Sequence, residues 1–577
     1  MFHQKVFALF LCFLLFGQTL AQTKLATEPK KPEISADLKK EAVAFLRETA
    51  QDVANLRTLE NRISFSAEIA SLMWFDDEKE ARAMFQLVVT DFRQLLIQTD
   101  TQYTALGVES SEEVESYDPF FGAAPTSQAK LMRKLMKAMS VRQQIALSIA
   151  EHDPQMSYDF FIGTSQAVTN PQLRQQIETG DMYFEFKLLN TIAEKDPDKA
   201  LEAGRKILAK GYNYQIINLL SKIYEKDADK GAIFGDEVVQ KIKSEKTKAD
   251  SFYQYSSILH LGADNLEKIK DKPGKKPIFT EPALREIADL LAQEILKRDS
   301  VSDSEIKGYV SLVEKFSPVR AAQIKQKLAA NNEKKASNQM VENNEDGEVM
   351  PVNPQLKNQA EIKKQEEQLL KDVQNLSAKQ FSKEERGKIV SEAQQSISKM
   401  KGSEQKILAL SVLASQVVQM GDRELASKIM DDARKLVNSE PKNYREFLQT
   451  WLLANGYAQV DADKAFPILE DAILRINDSI SAFIKVGEFM DVNAEIIEDG
   501  EVQVGGFGGG MTREMLGSLG AANTTLQSLA IADFARTKAL TNKFDRLEAR
   551  ILAKMLILRA VLGDKQKAAT EIERLSP

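Results

Sequence analysis

Apolar residues recur along most of the chain at the spacing of amphipathic helices. Ala42, Phe45, Leu46, Thr49, Val53, Leu56 and Leu59 form one such stripe within a helical region over 36–106. A second unit follows over 65–75, a turn at Asp76-Asp77, then a stripe over 81–97. Helical patterning resumes at Ser127 and is punctuated by turns at Asp153-Pro154, Asp196-Pro197 and Asp227-Ala228. Two more helices are expected over 283–297 and 302–328, beyond a Pro/Lys-rich linker at 270–282. The pattern predicts an all-α chain.

Three stretches depart from it. Residues 107–125 are acidic, carry Asp118-Pro119-Phe120-Phe121-Gly122, and read as a long loop. Residues 331–360 are rich in Asn, Glu and Lys with few apolar side chains, too few to offset the entropy of ordering. They are expected to be a disordered linker between a helical lobe at 36–330 and another at 361–577. The third is a small β-hairpin with a Gly-rich insertion near 496–510. Residues 496–504 alternate apolar and polar around Asp499-Gly500, a hairpin signal. Gly505-Gly506-Phe507-Gly508-Gly509-Gly510 follows, and Thr512 is placed to cap a next helix with Glu514 and Met515 in its first turn.

One phrase recurs at the turns: Asp196-Pro197-Asp198-Lys199-Ala200, Asp227-Ala228-Asp229-Lys230-Gly231 and Asp461-Ala462-Asp463-Lys464-Ala465. Aspartate is a preferred N-cap, proline suits the first helical position, and a second carboxylate complements the helix dipole. The small residue four places after the first Asp lets the second helix approach the one before it. A looser form, Asp-x-x-x-small, marks turns at Asp77 and Ala81, Asp153 and Ser157, Asp422 and Ala426, and Asp564 and Ala568.

Gly421-Asp422-Arg423-Glu424-Leu425-Ala426, with Met430 and Ala433, resembles the turn and second helix of a tetratricopeptide (TPR) repeat. Ala433 after Ala426 and Ala472 after Ala465 match that family's second small position, and Gly563-Asp564 with Ala568 repeats the turn. The spacing is not the regular repeat of about 34 residues, most first-helix signature residues are missing, and Pro467 falls within a second helix. The resemblance implies an irregular TPR-like helical-hairpin solenoid in two lobes. One subtype clamps C-terminal carboxylates with Lys and Asn; here Ser411 and Ser415 stand at two of those places, so that activity is not carried over.

Composition narrows the chemistry. A formal net charge of −7 gives no general affinity for nucleic acid. Lys5, the apolar run over 6–16 and Thr19-Leu20-Ala21 form a signal-peptide pattern, so residues 1–21 are expected to be removed and 22–35 to be a flexible lead. The chain is therefore expected to be exported, periplasmic or secreted, with no integral membrane segment left. Cys12 is the sole cysteine and lies in that leader, which leaves no thiolate for a disulfide, metal or nucleophile. Beyond the leader the histidines are His152 and His260, each at a helix end, where dipole or capping roles are usual. No zinc-protease, nucleophile-elbow or phosphate-loop motif occurs. Carboxylates cluster at Asp76-Asp77-Glu78, Glu112-Glu113-Glu115 and Glu498-Asp499-Glu501, but sequence selects no pair among them. Trp74 and Trp451 sit in helical stripes as core or groove-edge residues.

The expected function is an exported, non-catalytic α-solenoid scaffold that binds a protein or peptide partner, with no cofactor and no assigned site residues. One rival is a carboxylate-dependent cell-wall or polysaccharide hydrolase. Another is an envelope assembly component docking through the Gly-rich hairpin.

Overall fold

The computed structural model describes residues 34–109, 117–118, 122–123, 127–244, 251–297 except 273, 303–336, 383–490 except 401, 496–504, 507, 525–526 and 528–563. The leader at 1–21, most of 331–360, the glycines at 505–510, and Thr512, Glu514 and Met515 lie outside them. The fold is all-α with very short antiparallel pairings.

Helices α1 (Ala36–Val53), α2 (Leu59–Met73) and α3 (Glu78–Glu109) open the chain. Strands β1 (Tyr117–Asp118) and β2 (Gly122–Ala123) pair within the expected long loop. Then come α4 (Ser127–Ala150), α5 (Pro154–Ser165), α6 (Pro171–Ala193), α7 (Pro197–Lys210), α8 (Ile216–Lys226) and α9 (Ala228–Ser244). The first part ends with α10 (Ser251–Ile269), α11 (Glu281–Lys297), α12 (Asp303–Phe316) and α13 (Pro318–Ala336). The second part holds α14 (Lys383–Ser398), α15 (Ser403–Gln419), α16 (Arg423–Arg434), α17 (Tyr444–Val460) and α18 (Ala462–Met490). It closes with β3 (Ile497–Glu498), β4 (Glu501–Val502), α19 (Phe534–Thr541) and α20 (Leu547–Leu562).

The repeated aspartates cap helices. Asp196 accepts from the Lys199 amide at 2.9 Å with Pro197 opening α7, and Asp227 accepts from the Lys230 amide at 3.0 Å. Asp77, Asp153 and Asp422 do the same at α3, α5 and α16. At Asp461 the carboxylate accepts from Ser427 Oγ on α16 at 3.4 Å. The small residue of the phrase is buried at Ala81, Ser157, Ala200, Gly231, Ala426 and Ala465. Gly231 shows why size matters: a β-carbon there would stand 2.5 Å from the Tyr224 Cα of α8. The turn at Asp564 lies outside the described residues.

Two expectations need correction. The single stripe over 302–328 is two helices, broken where Ser317 precedes Pro318. Proline lacks an amide hydrogen and disfavours a helical residue before it, so α12 stops and α13 starts there. The stretch at 270–282 is no free linker. Ile278 and Phe279 are buried, the Ile278 amide donates to Asn265 at 2.9 Å, and Tyr224 donates to the Lys276 carbonyl at 2.5 Å. Gly235 on α9 admits this strap, since a β-carbon there would stand 2.2 Å from the Ile278 carbonyl oxygen.

Two cores hold the chain together, and α2 serves both. Leu59, Ile63, Ala67 and Ala70 on one face of α2 join a core that runs through α13. Phe65, Ile69, Leu72 and Met73 on its other face join α1, α14 to α20 and the hairpin. The last helix, α20, packs on both α1 and α2, so the two ends of the described chain meet.

Candidate functional site

The helices of the first part lie in two rows. In one, α2, α4, α6, α8, α10 and α12 each touch the next member. In the other, α3 meets α5, α7 meets α9 and α11 meets α13. Each first-row helix after α2 is thus covered by its second-row neighbours and flanked by its own row, which leaves one side for solvent. The exposed apolar residues differ between rows. Met136, Met182, Tyr183 and Tyr253 stand on first-row helices, and Tyr214 lies just before α8. Leu87, Ile97, Ile233 and Val319 stand on the second row. The second part repeats the division, with α15 and α17 packed together and carrying Leu408 and Tyr444, and α18 carrying Leu474 and Val486. Among the described residues of the first part, every exposed tyrosine and methionine belongs to the first row or to the turn entering it.

A second feature lies where the two ends of the chain meet. Asp499 and Gly500 take positive φ, 50° and 70°, and turn β3 into β4. This hairpin wedges between α2, α4 and α20. Glu501, buried, accepts from the Arg57 amide at 2.7 Å, the Thr58 amide at 3.1 Å and Thr58 Oγ1 at 3.0 Å. Asn61 donates to the Val502 carbonyl at 3.1 Å and accepts from the Val504 amide at 2.9 Å. Glu548 of α20 accepts from the Val502 amide at 3.3 Å. The alternation of residues 496–504 leads one to expect a wet polar face; instead the chain's own helices cover both faces, so Glu501 and Gln503 are buried with their apolar neighbours.

Between α2, α3, α4 and this hairpin is a cavity of about 160 Å³. Lys134 on α4 reaches Glu60 on α2 at 2.8 Å and also pairs with Glu498 of β3. Lys130 and Lys137 line the same wall, and Leu131 and Phe507 supply apolar surface. Burial, and next the negative charge of Glu60, push the Glu498 carboxyl above its ordinary value against the pull of Lys134. Burial works to lower the Lys134 pKa, but the two glutamates outweigh it and keep the ammonium protonated. Gln503 also lines the cavity. It is 2 % exposed, and among the described residues neither its amide oxygen nor its amide nitrogen has a hydrogen-bond partner. Nothing in the sequence pattern marks Gln503, because a single amide in an alternating strand reads as an ordinary solvent-facing position.

A wider groove of about 550 Å³ lies where the first turns of α16, α18 and α19 converge, with Arg423, Ser427, Asp461, Asp463 and Asp533 on its walls. Their own carboxylates cap two of these turns, at Asp422 and Asp533.

Neither histidine lines the cavity or the groove. His152 stacks on Trp74 with ring centres 4.9 Å apart and meets Phe75 edge-on at 5.3 Å. Burial, assisted by the charge of Lys195, lowers its pKa to about 4. His260 is exposed on α10. Trp74 also lies under the Arg82 guanidinium at 4.8 Å, and Trp451 is a core residue. Of the carboxylate runs, Asp77 caps α3 and Glu78 pairs with Arg82 at 2.8 Å, while Glu112, Glu113 and Glu115 lie outside the described residues. Among the described residues no group of three or more His, Cys, Asp or Glu is placed to hold a metal ion. No described helix is long and apolar enough to cross a membrane.

No protein-family model matches this chain, and no curated protein matches it.

Proposed function

We propose that this chain is an exported, non-catalytic helical scaffold of irregular TPR-like hairpins that binds a protein partner along the solvent side of its first helix row. The observation that carries this reading is the segregation of exposed Met136, Met182, Tyr183, Tyr214 and Tyr253 to that row. Tyrosine and methionine are enriched at protein interfaces, and tyrosine gains contact area there at small entropic cost. Adjacent helices extend such a surface from one to the next, as stacked helical repeats do. Val502 and Val504, at 2 % and 1 % exposure, are covered by the chain itself, which favours the helix row over the hairpin as the docking element. The test is affinity capture from the exported fraction with the full chain. Replacing Met182 and Tyr183 together by Ala should abolish recovery of the partner. Leu87→Ala on the second row should leave it intact. Equal recovery with all three proteins would refute the reading.

The hydrolase alternative has one observation in its favour: Glu60 and Glu498 share a cavity, and the Glu498 pKa is raised by burial. A glycosidase pair must flank the bond it breaks. Here the Lys134 ammonium stands between the two carboxylates, in the place the substrate bond would take. The arrangement suits binding better than acid–base hydrolysis. Assay of the pure protein against cell-wall and polysaccharide substrates decides, and turnover abolished by Glu498→Gln would establish the hydrolase.

A further inference from the structure

We propose that the partner docks on the first helix row through a peptide segment that seats one bulky apolar side chain over Gly180, so that Gly180 sets which segments bind. This inference rests on the reading above and names the partner chemistry of that same surface. It starts from a glycine that the chain itself does not need. In the first part, Gly163, Gly204, Gly231, Gly235 and Gly262 stand in helices against a neighbour, and a β-carbon on any of them would come within 3.0 Å of it. Packing explains why those positions carry no side chain. Gly180 on α6 and Gly308 on α12 differ, because a β-carbon on either meets nothing within 4 Å. Both helices belong to the first row. Glycine inside a helix costs stability relative to alanine, and neither residue takes a positive φ that would require it. Close approach of a backbone or side chain from outside the chain accounts for a glycine that nothing inside it explains.

The surroundings assign the contact to Gly180. Residues three and four apart are neighbours on a helix surface, so Gly180 leaves a gap one side chain wide between Gln176 and Tyr183. Tyr183 is 55 % exposed and Met182 beside it 45 %. Helical side chains lean toward the N-terminus, which puts Tyr183 on the Gly180 side as an aromatic wall. Thr179 donates its hydroxyl to the Gln175 carbonyl at 2.8 Å, which leaves its methyl group for contact. Charge is sparse around the gap. Ser140 and Gln144 on α4, Gln176 and Thr179 on α6 and Asn218 on α8 are exposed, and Glu178 is the one exposed charged residue between Gln175 and Tyr183. Second-row charges instead pair with each other across neighbouring helices, as Arg205 does with Glu237 at 2.6 Å and Lys230 with Asp198 at 2.8 Å. The complement of an uncharged strip with one aromatic-walled gap is a neutral segment bearing a single Leu, Met or Phe.

Selection of the full chain against a phage-displayed library of random short peptides tests this. Wild type should enrich clones that share one Leu, Met or Phe position. Gly180→Leu fills the gap, so the same library should then enrich clones with Gly, Ala or Ser at that position. A peptide selected on wild type, titrated by fluorescence anisotropy, should bind Gly180→Leu at least tenfold more weakly and Gly180→Ala at least threefold more weakly. Gly387→Leu on α14, where a β-carbon also meets nothing within 4 Å, should bind it as wild type does. Neither Gly180 variant should melt below wild type, which separates lost binding from lost fold. Should Gly180→Leu fail to fold, Gly180→Ala decides. The proposal is overturned by a wild type that enriches no peptide, by enriched peptides without a shared apolar position, or by undiminished affinity in a folded Gly180 variant. If capture from the exported fraction is still lost when Met182 and Tyr183 are both replaced by Ala, the row keeps its partner and the assignment to Gly180 alone falls.

Discussion

Lys554 on α20 donates to Asp52 on α1 at 2.7 Å, joining residues 502 positions apart. The same ammonium donates to Glu48 at 3.1 Å and lies 5.2 Å from the Phe45 ring. Lys554 is 4 % exposed in its side chain, whereas Asp52 and Glu48 are 30 % and 45 % exposed. The asymmetry gives a prediction. Removing both carboxylates (Asp52→Asn with Glu48→Gln) strands a buried ammonium and should cost about 3 kcal/mol. Lys554→Met leaves two carboxylates that water can reach and should cost only about 1 kcal/mol. Urea denaturation of the two variants checks the order, and the reverse order would show that the carboxylates, not the lysine, depend on this contact.

Gly231 and Gly180 make a matched pair. Both are helical, but a β-carbon on Gly231 would stand 2.5 Å from Tyr224 Cα, whereas one on Gly180 meets nothing within 4 Å. Gly231→Ala must push α9 off α8 and should destabilise by about 1–3 kcal/mol. Gly180→Ala fills no occupied space and should stabilise by up to about 1 kcal/mol through helix propensity. Thermal denaturation of the two variants should show melting temperatures moving in opposite directions.

These turns are also where the sequence was most legible. Aspartate, proline and a small residue act within one turn of each other, so their spacing alone encodes the cap and the close approach. Asp499-Gly500 is legible for the same reason, because only a few residue pairs tolerate two successive positive φ values. Legibility fails where the partner is remote. Ile278 and Phe279 sit among lysines and prolines and show no periodicity, yet α8 to α10 bury them. Lys554 reads as one more charged residue on a helix, and its burial depends on a helix at the other end of the chain. Gln503 is silent in the sequence because its environment is assembled from α2, α4 and a hairpin that no local pattern connects.

Glu501 ties the hairpin to the start of α2 by accepting from two backbone amides and a hydroxyl. Glutamine in its place has the same shape, but its amide nitrogen would face the Arg57 or Thr58 donors. Charge-assisted bonds of this kind contribute about 1.5–3 kcal/mol each, and an amide retains part of that. Glu501→Gln should therefore cost about 2–3 kcal/mol. Hydrogen exchange should show the loss at the amides of Arg57, Thr58, Val502 and Val504, not across α8 to α12. Uniform loss of protection would mean that the hairpin is no local tie.

His152 should give the folded chain a distinct response to acid. Its folded pKa, about 4, lies below the ordinary histidine value of about 6.5 because burial, and then Lys195, disfavour the charged ring. Between those two values the unfolded chain binds the proton and the folded chain does not. Stability therefore falls as pH drops from about 6.5 toward 4 and is indifferent to this residue above that window. Asp181, Glu185 and Glu498 act with the opposite sign, since burial raises their folded pKa values and acid then favours the fold. Comparing wild type with His152→Phe cancels their contribution and keeps an aromatic ring on Trp74. The variant should gain about 1 kcal/mol on wild type as pH falls from 7 to 5, a figure reduced for solvent screening of a half-buried ring. Urea denaturation of both proteins at the two pH values measures it. Parallel loss of stability in the two would show that His152 titrates at its ordinary pKa in the folded chain.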